Sequence, residues 1–290
     1  MGVLAFLARV FLRVLGFLMS VIMVWTVPPS SEKTIAPLDK DSVKLQCALV
    51  SDVHMQSFEY SQYRELAKAM RDIARAEQKQ DALVFVGDNT MNGQIYEHLM
   101  FYGLLSHYNK AKNTLVAMGN HDTADFSPPT YEAGIARHNF FLRAYTGVNT
   151  DKDYYSQTIN GYTFIILGES DVTPEILSWL DAEMSAAGQG KPIFIFKHTP
   201  LYGSSKARAV LEQYDNVFVF NGHWHTPLAL DTRNGVRYVN LPALHGDHSS
   251  GEGKGSGCQM EVYEDRVVLR GRNYIEGKWM DGKEIDVGLV

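Results

Sequence analysis

The feature of this sequence that most constrains its fold is an alternation of apolar runs and helical segments between residues 44 and 122. The runs at 44–50, 82–86 and 114–118 have the length and apolar character of buried strands. The segments at 58–78 and 94–110 are long enough for helices, and the first has apolar residues at helical spacing. This β-α-β-α-β order predicts parallel strands joined by right-handed crossovers, whose carboxyl ends meet at one edge of a sheet.

The remainder of the chain predicts a second group of strands. Asn160-Gly161 separates the alternating runs 154–159 and 162–167, which is typical of a β-hairpin. Thr173-Pro174 predicts the start of a helix, with the threonine as cap. Further strands are predicted near Leu228 and at 192–196, 217–220, 236–241, 259–263 and 266–272.

The first 31 residues differ in composition from the rest of the chain. They contain Arg9 and Arg13 but no acidic residue, and residues 14–27 form an uncharged run. That run is short for a membrane span, which needs about 20 residues, but it suits the apolar region of a signal peptide. No clear Ala-x-Ala cleavage site follows, so an uncleaved membrane anchor and a buried helix remain open.

These N-terminal features predict the domain organisation and location. Residues 1–31 are expected to be a signal peptide or membrane anchor, residues 32–40 a linker, and residues 41–290 one folded domain. The chain is therefore expected to be exported or membrane-anchored, and otherwise cytoplasmic. Any tether to a membrane is expected to be formed by this segment.

Charge and cysteine content narrow the possible partners. The formal net charge is −6 and the pI is about 5.9, so the chain lacks the basic bias of a nucleic-acid-binding protein. This acidity does not exclude an anionic substrate, because bound cations can dominate the local field. Cys47 and Cys258 both lie in strand-like runs without metal-site spacing, and two buried thiols are favoured over a disulfide.

Five of the apolar runs end in a short polar loop that carries Asp, Asn or His. These residue types are common metal ligands, and five such loops are hard to explain as ordinary turns. Glycines at 87, 119 and 222 precede them and allow tight turns. The residues are Asp52 and His54, Asp88, Asn120 and His121, His198, and His223 and His225.

The ordered set Asp-x-His, Gly-Asp-Asn, Gly-Asn-His-Asp, a lone His after a strand, and Gly-His-x-His resembles the calcineurin-like metallophosphoesterase superfamily over residues 44–225. The resemblance implies an α/β fold, a four-layer α/β/β/α sandwich in which two mixed sheets are flanked by helices. It also implies that residues 41–290 are a catalytic domain with a site for two metal ions.

The resemblance also assigns a role to each residue of the site. Asp52, His54 and His225 would bind the first ion, and Asn120, His198 and His223 would bind the second. Asp88 would bridge the two ions. His121 would approach the scissile phosphate, and Asp122 would orient its imidazole.

The implied function is a metal-dependent phosphoesterase that hydrolyses a phosphomonoester or phosphodiester with a hydroxide bound to the metals. A small phosphorylated substrate is expected, and no nucleic acid. Mn²⁺, Fe²⁺ or Zn²⁺ would suit the mixed oxygen and nitrogen ligands. The alternatives are a metal-free scaffold that binds proteins and a nuclease of the same superfamily. The complete ligand series argues against the first, and the acidic composition against the second.

One position departs from the purple acid phosphatases, whose motif otherwise matches Gly87-Asp88-Asn89. Those relatives have a tyrosine three residues after the aspartate, and this chain has Met91. A thioether cannot replace a phenolate on ferric iron, so we predict a colourless enzyme that uses divalent ions.

Several other residues have a less defined role. Trp224 either faces the substrate or packs in the core. The helical histidines His98, His107 and His138 are expected to pack or lie at the surface, while Asn92, Tyr202, His245 and His248 are weaker pocket candidates. The loop 245–257 is expected to be mobile.

Overall fold

The computed structural model describes residues 3–24, 34–56, 59–123, 130–188, 190–245 and 255–290. It contains two six-stranded mixed sheets flanked by helices, which confirms the predicted fold class. The pocket candidate His248 lies outside the described part of the chain, as does most of the 245–257 loop.

The first sheet is built around three parallel strands, β1 (Leu45–Val50), β2 (Ala82–Val86) and β3 (Asn113–Ala117). All of β1 and β2 is buried, as expected for parallel strands covered on both faces. Three C-terminal strands extend this sheet in antiparallel fashion from β1. They are β10 (Ser256–Val262), β11 (Arg266–Asn273) and β12 (Lys278–Gly288).

The second sheet has the strand order β4-β5-β6-β7-β9-β8. The inner strands run parallel, and the edge strands β4 and β8 run antiparallel. The predicted hairpin joins β4 to β5, with Asn160 and Gly161 at φ of 51° and 80°. The strands are β4 (Tyr155–Ile159), β5 (Tyr162–Leu167), β6 (Ile193–Lys197), β7 (Val217–Asn221), β8 (Ala229–Arg233) and β9 (Val236–Asn240).

Alternation along the second sheet separates two cores. Its inward phenylalanines, such as Phe194 and Phe218, join the main core with residues of the first sheet. The intervening Ile195 and Val219 join a second core with Leu180. Because successive side chains of a strand point to opposite faces, both faces of this sheet carry apolar side chains, and helices cover the face that is turned away from the first sheet. Those helices are α5 (Pro174–Ala186) and α6 (Ser205–Leu211), while α2 (Tyr60–Ala74), α3 (Ile95–Tyr108) and α4 (Thr130–Thr146) flank the first sheet.

The N-terminal helix α1 (Val3–Val24) packs against α3 and α4. A Cβ atom on Gly16 would lie 2.1 Å from the carbonyl oxygen of Gly103, so the two backbones cross in direct contact at this pair. Leu12 and Met19 are buried on the same side. Among the described residues, none of the helices combines the length and the apolar character needed to cross a membrane. The expected export or membrane anchoring stays a prediction.

Two elements were not predicted from the sequence. β12 is polar and its residues are exposed or half-buried, because it is an edge strand held mainly by backbone pairing with β11. The short α6 has too few residues to show a helical period. Both predicted thiols, Cys47 and Cys258, are buried and free.

Candidate metal centre

The predicted site residues lie where the carboxyl ends of strands from both sheets meet. Hydrogen bonds connect the loops within each sheet, from Asp52 N to Gly87 O at 3.1 Å and from Gly222 N to His198 O at 3.1 Å. Other bonds join the two sheets, among them the one that the backbone N–H of His223 donates to the carboxylate of Asp52 at 3.3 Å. The two sheets therefore contribute to a single centre.

The first group of candidate ligands consists of Asp52, His54 and His225. The Nε2 atom of His225 lies 2.9 Å from Oδ1 of Asp52 and 3.1 Å from Nε2 of His54. One ligand atom from each residue lies within 4.8 Å of the other two. This is the set that the resemblance assigns to the first ion.

The second group consists of Asp88, His198 and His223, again with ligand atoms within 4.8 Å of one another. Nδ1 of His198 donates to the carbonyl of Val86 at 2.8 Å, which leaves its Nε2 as the ligand atom, 2.9 Å from Oδ2 of Asp88. Oδ1 of Asn120 lies 3.0 Å from Nδ1 of His223 and completes the predicted second set.

Asp88 lies between the two groups, as a bridging ligand must. Its Oδ2 is 2.9 Å from Nε2 of His198 in the second group and 3.8 Å from Nε2 of His54 in the first. The structure thus brings all seven predicted ligands together.

The backbone of this centre is strained. Eight non-glycine residues in the described ranges have positive φ, and five of them are predicted ligands, with φ between 49° and 70°. The other three are asparagines. Asn, Asp and His enter this region more often than other non-glycine residues, but five such residues within one site are an unusual concentration. Each costs about 1–3 kcal/mol and persists only where surrounding structure holds it. The five are Asp52, His54, Asp88, His223 and His225.

Two of the predicted glycines allow close approach of the loops. A Cβ on Gly119 would lie 2.2 Å from Oδ1 of Asp88, and a Cβ on Gly222 would lie 2.5 Å from Oδ2 of Asp52. Any larger side chain at either position would displace a ligand carboxylate.

The electrostatics of the centre favour bound cations. Burial opposes charge on Asp52 and Asp88, but the neighbouring imidazoles outweigh it and hold both pKa values below the usual range. Every ion pair that these two carboxylates make in the described part of the chain is with histidine. Burial lowers the pKa of His54 to about 4, which keeps that imidazole neutral and able to ligate. Two buried carboxylates, neutral imidazoles and an amide oxygen fit divalent ions.

His198 shows the same demand for positive charge. Burial lowers its pKa, but the carboxylates of Asp52 and Asp88 outweigh this effect and raise the pKa to about 10. The two buried carboxylates thus favour positive charge at this position. Metal ions bound there would supply that charge to a neutral His198 ring, because ligation needs the neutral form.

His121 faces both groups. Its backbone N–H donates to Oδ1 of Asp88 at 2.8 Å, and its Nδ1 donates to the carbonyl of Met91 at 2.9 Å. One of its ring nitrogens lies within 4.8 Å of ligand atoms of His54 and Asp88. The predicted catalytic imidazole therefore borders the centre, with its orientation set by a backbone carbonyl.

The prediction that Asp122 orients His121 is wrong. The buried Asp122 carboxylate instead accepts hydrogen bonds from the backbone and side chain of Asn89, from both donors of Thr90, and from Gly119 N. Burial and the nearby Asp88 raise its pKa to about 6. Asp122 thus joins the loop after β2 to the loop after β3, a role that only the folded structure reveals.

A buried cluster next to His198 was missed by the sequence reasoning. Glu169 follows β5 and accepts bonds from the backbone N–H and the hydroxyl of Thr199 at 3.1 and 2.8 Å, and from Lys197 Nζ at 3.2 Å. Because these residues flank His198, the cluster fixes the loop that presents it. A lysine inside an apolar strand is the sequence signal that could have indicated a buried acidic partner.

The structure places the remaining candidate residues in different environments. Trp224 is 46% exposed and its ring meets that of Tyr202 edge to face, so it does not pack in the core. His98 and His138 are buried between α3 and α4. Asn92 bonds to Glu97, and His245 pairs with Glu65 while its backbone N–H donates to Asp52 O.

Comparison with known proteins agrees with this geometry. Residues 45–227 match the family described as calcineurin-like phosphoesterase. A dimetal phosphatase from Danio rerio superimposes with a TM-score of 0.57 at 14% identity, over 86% of this chain and 100% of that one. A purple acid phosphatase from seeds of yellow lupin, Lupinus luteus, has a TM-score of 0.61 at 13% identity, over 90% of this chain and 55% of that one. No curated protein sequence matches the chain.

Proposed function

This chain belongs to the calcineurin-like phosphoesterase family, and we propose that it is a hydrolase of phosphate esters that depends on two divalent metal ions. The observation that carries the proposal is the pair of ligand groups that meet at Asp88. The fold shared with a dimetal phosphatase supports it.

The residues present fit two ions. Asp52, His54 and His225 would hold one, Asn120, His198 and His223 the other, and Asp88 would contact both. Two divalent ions held there would supply positive charge for the phosphoryl oxygens and lower the pKa of a water molecule enough for it to act as nucleophile.

The chain's own contribution to the chemical step is His121. Its Nδ1 proton is bound to the Met91 carbonyl, so the proton that it can give or share is on Nε2. In the protonated state, Nε2–H can donate to a phosphoryl oxygen or protonate the leaving alcohol. The bond from its backbone to Asp88 keeps the ring beside the metal ligands throughout.

A cavity of about 210 Å³ beside the centre would receive the leaving group of a small phosphorylated substrate. Tyr202, Trp224 and Arg233 line it, and the Arg233 guanidinium lies 4.6 Å from the centre of the Tyr202 ring. The Tyr238 hydroxyl is buried there without a hydrogen-bond partner among the described residues. We expect Trp224→Ala to raise KM for aryl phosphates more than for alkyl phosphates.

Metal removal and reconstitution test the proposed function. After a chelator has removed its metals, the full chain should no longer hydrolyse p-nitrophenyl phosphate or bis(p-nitrophenyl) phosphate. Added Mn²⁺, Zn²⁺ or Fe²⁺ should restore the activity. Elemental analysis should find both ions absent from Asp88→Ala, because one carboxylate serves both sites. The matched control is Asp151→Ala, at an exposed aspartate far from the ligands in sequence.

Two outcomes would overturn the proposal. Full metal occupancy in Asp88→Ala would contradict the assigned ligands. A metal-loaded wild-type protein without activity on any phosphate ester would favour a protein-binding scaffold instead.

A further inference from the structure

The outward side of α1 is an apolar surface of the kind that folded proteins normally bury. Of the α1 residues whose side chains are described, every exposed one is apolar except Arg13. The apolar ones recur at spacings of three and four, so they form one stripe, here termed the outer α1 face. It consists of Val3, Phe6, Leu7, Val10, Phe11, Val14, Phe17, Leu18 and Val21, each between 43% and 76% exposed.

The opposite side of α1 is already occupied by the domain. Leu12 and Met19 are buried, Gly16 contacts the backbone of Gly103, and Nε of Arg9 donates to the carbonyl of Ala144 at 2.9 Å. These contacts extend over two turns and fix the rotation of the helix. The outer α1 face therefore points away from the domain as part of the folded structure.

Neighbouring helices continue the apolar surface. Ile95 at the start of α3 and Phe140 on α4 are 59% and 43% exposed, and both line a groove with Leu7 and Phe11. Together with the outer α1 face they make eleven of the sixteen large hydrophobic side chains exposed in the described part of the chain. Such concentration marks an interaction surface.

Positive side chains lie along one edge of this surface, whereas Glu132, Arg143 and Asp151 line a cavity with Phe140. Arg9 and Arg13 are the only charged residues of α1, and both line a polar cavity together with Lys112 and Asn109. The whole chain, by contrast, carries a formal charge of −6. An apolar stripe bordered by arginine and lysine matches the boundary between the acyl chains and the anionic headgroups of a bilayer.

A protein partner matches this surface less well. Protein interfaces are about 56–65% apolar and carry hydrogen-bonding groups at their rims and cores. The outer α1 face has hydrogen-bonding side chains at one border but none within it. We therefore propose that this face, with Ile95 and Phe140, is a membrane docking surface that lays α1 in the plane of an anionic bilayer.

Docking in this orientation would place the metal centre near the membrane. Ile95 follows Met91 by four residues, a chain distance of at most about 14 Å, and the Met91 carbonyl holds His121. The docking itself needs no catalytic activity, so it can be tested separately from the proposed function.

Flotation of the full-length protein with lipid vesicles tests the proposal. We expect it to float with vesicles of phosphatidylcholine and phosphatidylglycerol, less with phosphatidylcholine alone, and less at high salt. The double variant Phe11→Asp/Phe17→Asp should bind at least about tenfold more weakly, because it places two carboxylates in the apolar layer. Tyr60→Asp, at a tyrosine that is 70% exposed on α2, is the matched control and should float like the wild type.

Hydrolysis of a soluble phosphate ester and thermal unfolding, unchanged in the double variant, would show that its fold is intact. Three results would overturn the proposal. The first is a wild type that does not float, and the second is a double variant that floats as well as the wild type. The third is a wild type that forms a dimer and does not bind vesicles, together with a double variant that is monomeric. Resistance of the natural membrane-bound protein to alkaline extraction would also overturn the in-plane orientation.

Discussion

The metal centre and the outer α1 face both depart from the usual distribution of polar and apolar groups, in opposite directions. The centre buries two carboxylates and strains five residues, while the outer α1 face exposes nine apolar side chains. At the centre, the negative charge of the buried carboxylates is mostly balanced within the chain, because imidazoles lie next to them. On α1, nothing in the described part of the chain balances the exposure. The first pattern is therefore typical of a site that takes small ions, and the second of a surface that takes a large apolar partner.

The largest expected effect comes from His121→Gln. This variant tests whether catalysis at the centre needs a residue that does not bind the metals. We expect kcat to fall on the order of 10²–10⁴-fold while both metals stay bound, because only an interaction with the reacting phosphate is lost. Steady-state kinetics with good and poor leaving groups, together with elemental analysis, measure this. An unchanged kcat, or loss of metal, would show that His121 acts otherwise than proposed. Vesicle flotation should remain unchanged.

A smaller effect is expected from Gly16→Leu, which acts on the buried side of α1. Its side chain would collide with the Gly103 carbonyl and push α1 from α3, which should cost roughly 2 kcal/mol or more in the free energy of unfolding. Chemical denaturation measures the loss, and Val14→Leu, at an exposed position of the same helix, is the control. If the two regions are independent, kcat on a soluble ester should change little. A large loss of kcat would show that α1 packing supports the metal centre.

The smallest effect is expected from His98→Leu, at a position buried between α3 and α4. Both ring nitrogens of His98 are buried without a partner among the described residues, and burial holds its pKa well below the usual value. Removing this unsatisfied group should stabilise the protein by about 1 kcal/mol at pH 7.

The pH dependence sharpens that test. Below about pH 6.5 the unfolded state binds a proton at His98 that the folded state refuses, so wild-type stability falls as the pH falls. The advantage of His98→Leu should therefore grow by about 1.4 kcal/mol for each pH unit below 6.5. His138, whose pKa burial lowers to about 4, keeps its own acid sensitivity in both proteins. Chemical denaturation of both proteins at pH 7 and pH 5.5 measures the difference between their free energies of unfolding. A difference that is the same at both pH values would contradict the prediction.

Local sequence determined the strands and the positions of the ligands. Short apolar runs that end in a polar loop specify a buried strand and a turn within a few residues, so all seven candidate ligands were identified before any contact was known. The hairpin at Asn160-Gly161 and the cap at Thr173 were equally local, and the structure confirms both.

Tertiary structure alone decided the features that depend on partners far apart in the chain. The bonds from Asp122 to Asn89 and Thr90 span 33 and 32 residues, and the bond from His121 to Met91 spans 30. Positive φ at Asp52 is held by bonds to residues far away in the chain, Gly87 and His223. For α1, Arg9, Arg13 and Gly16 share one side at helical spacing, but the sequence does not decide whether that side faces the domain or the solvent. The contact between Gly16 and Gly103 decides which side is buried and thereby which side remains exposed.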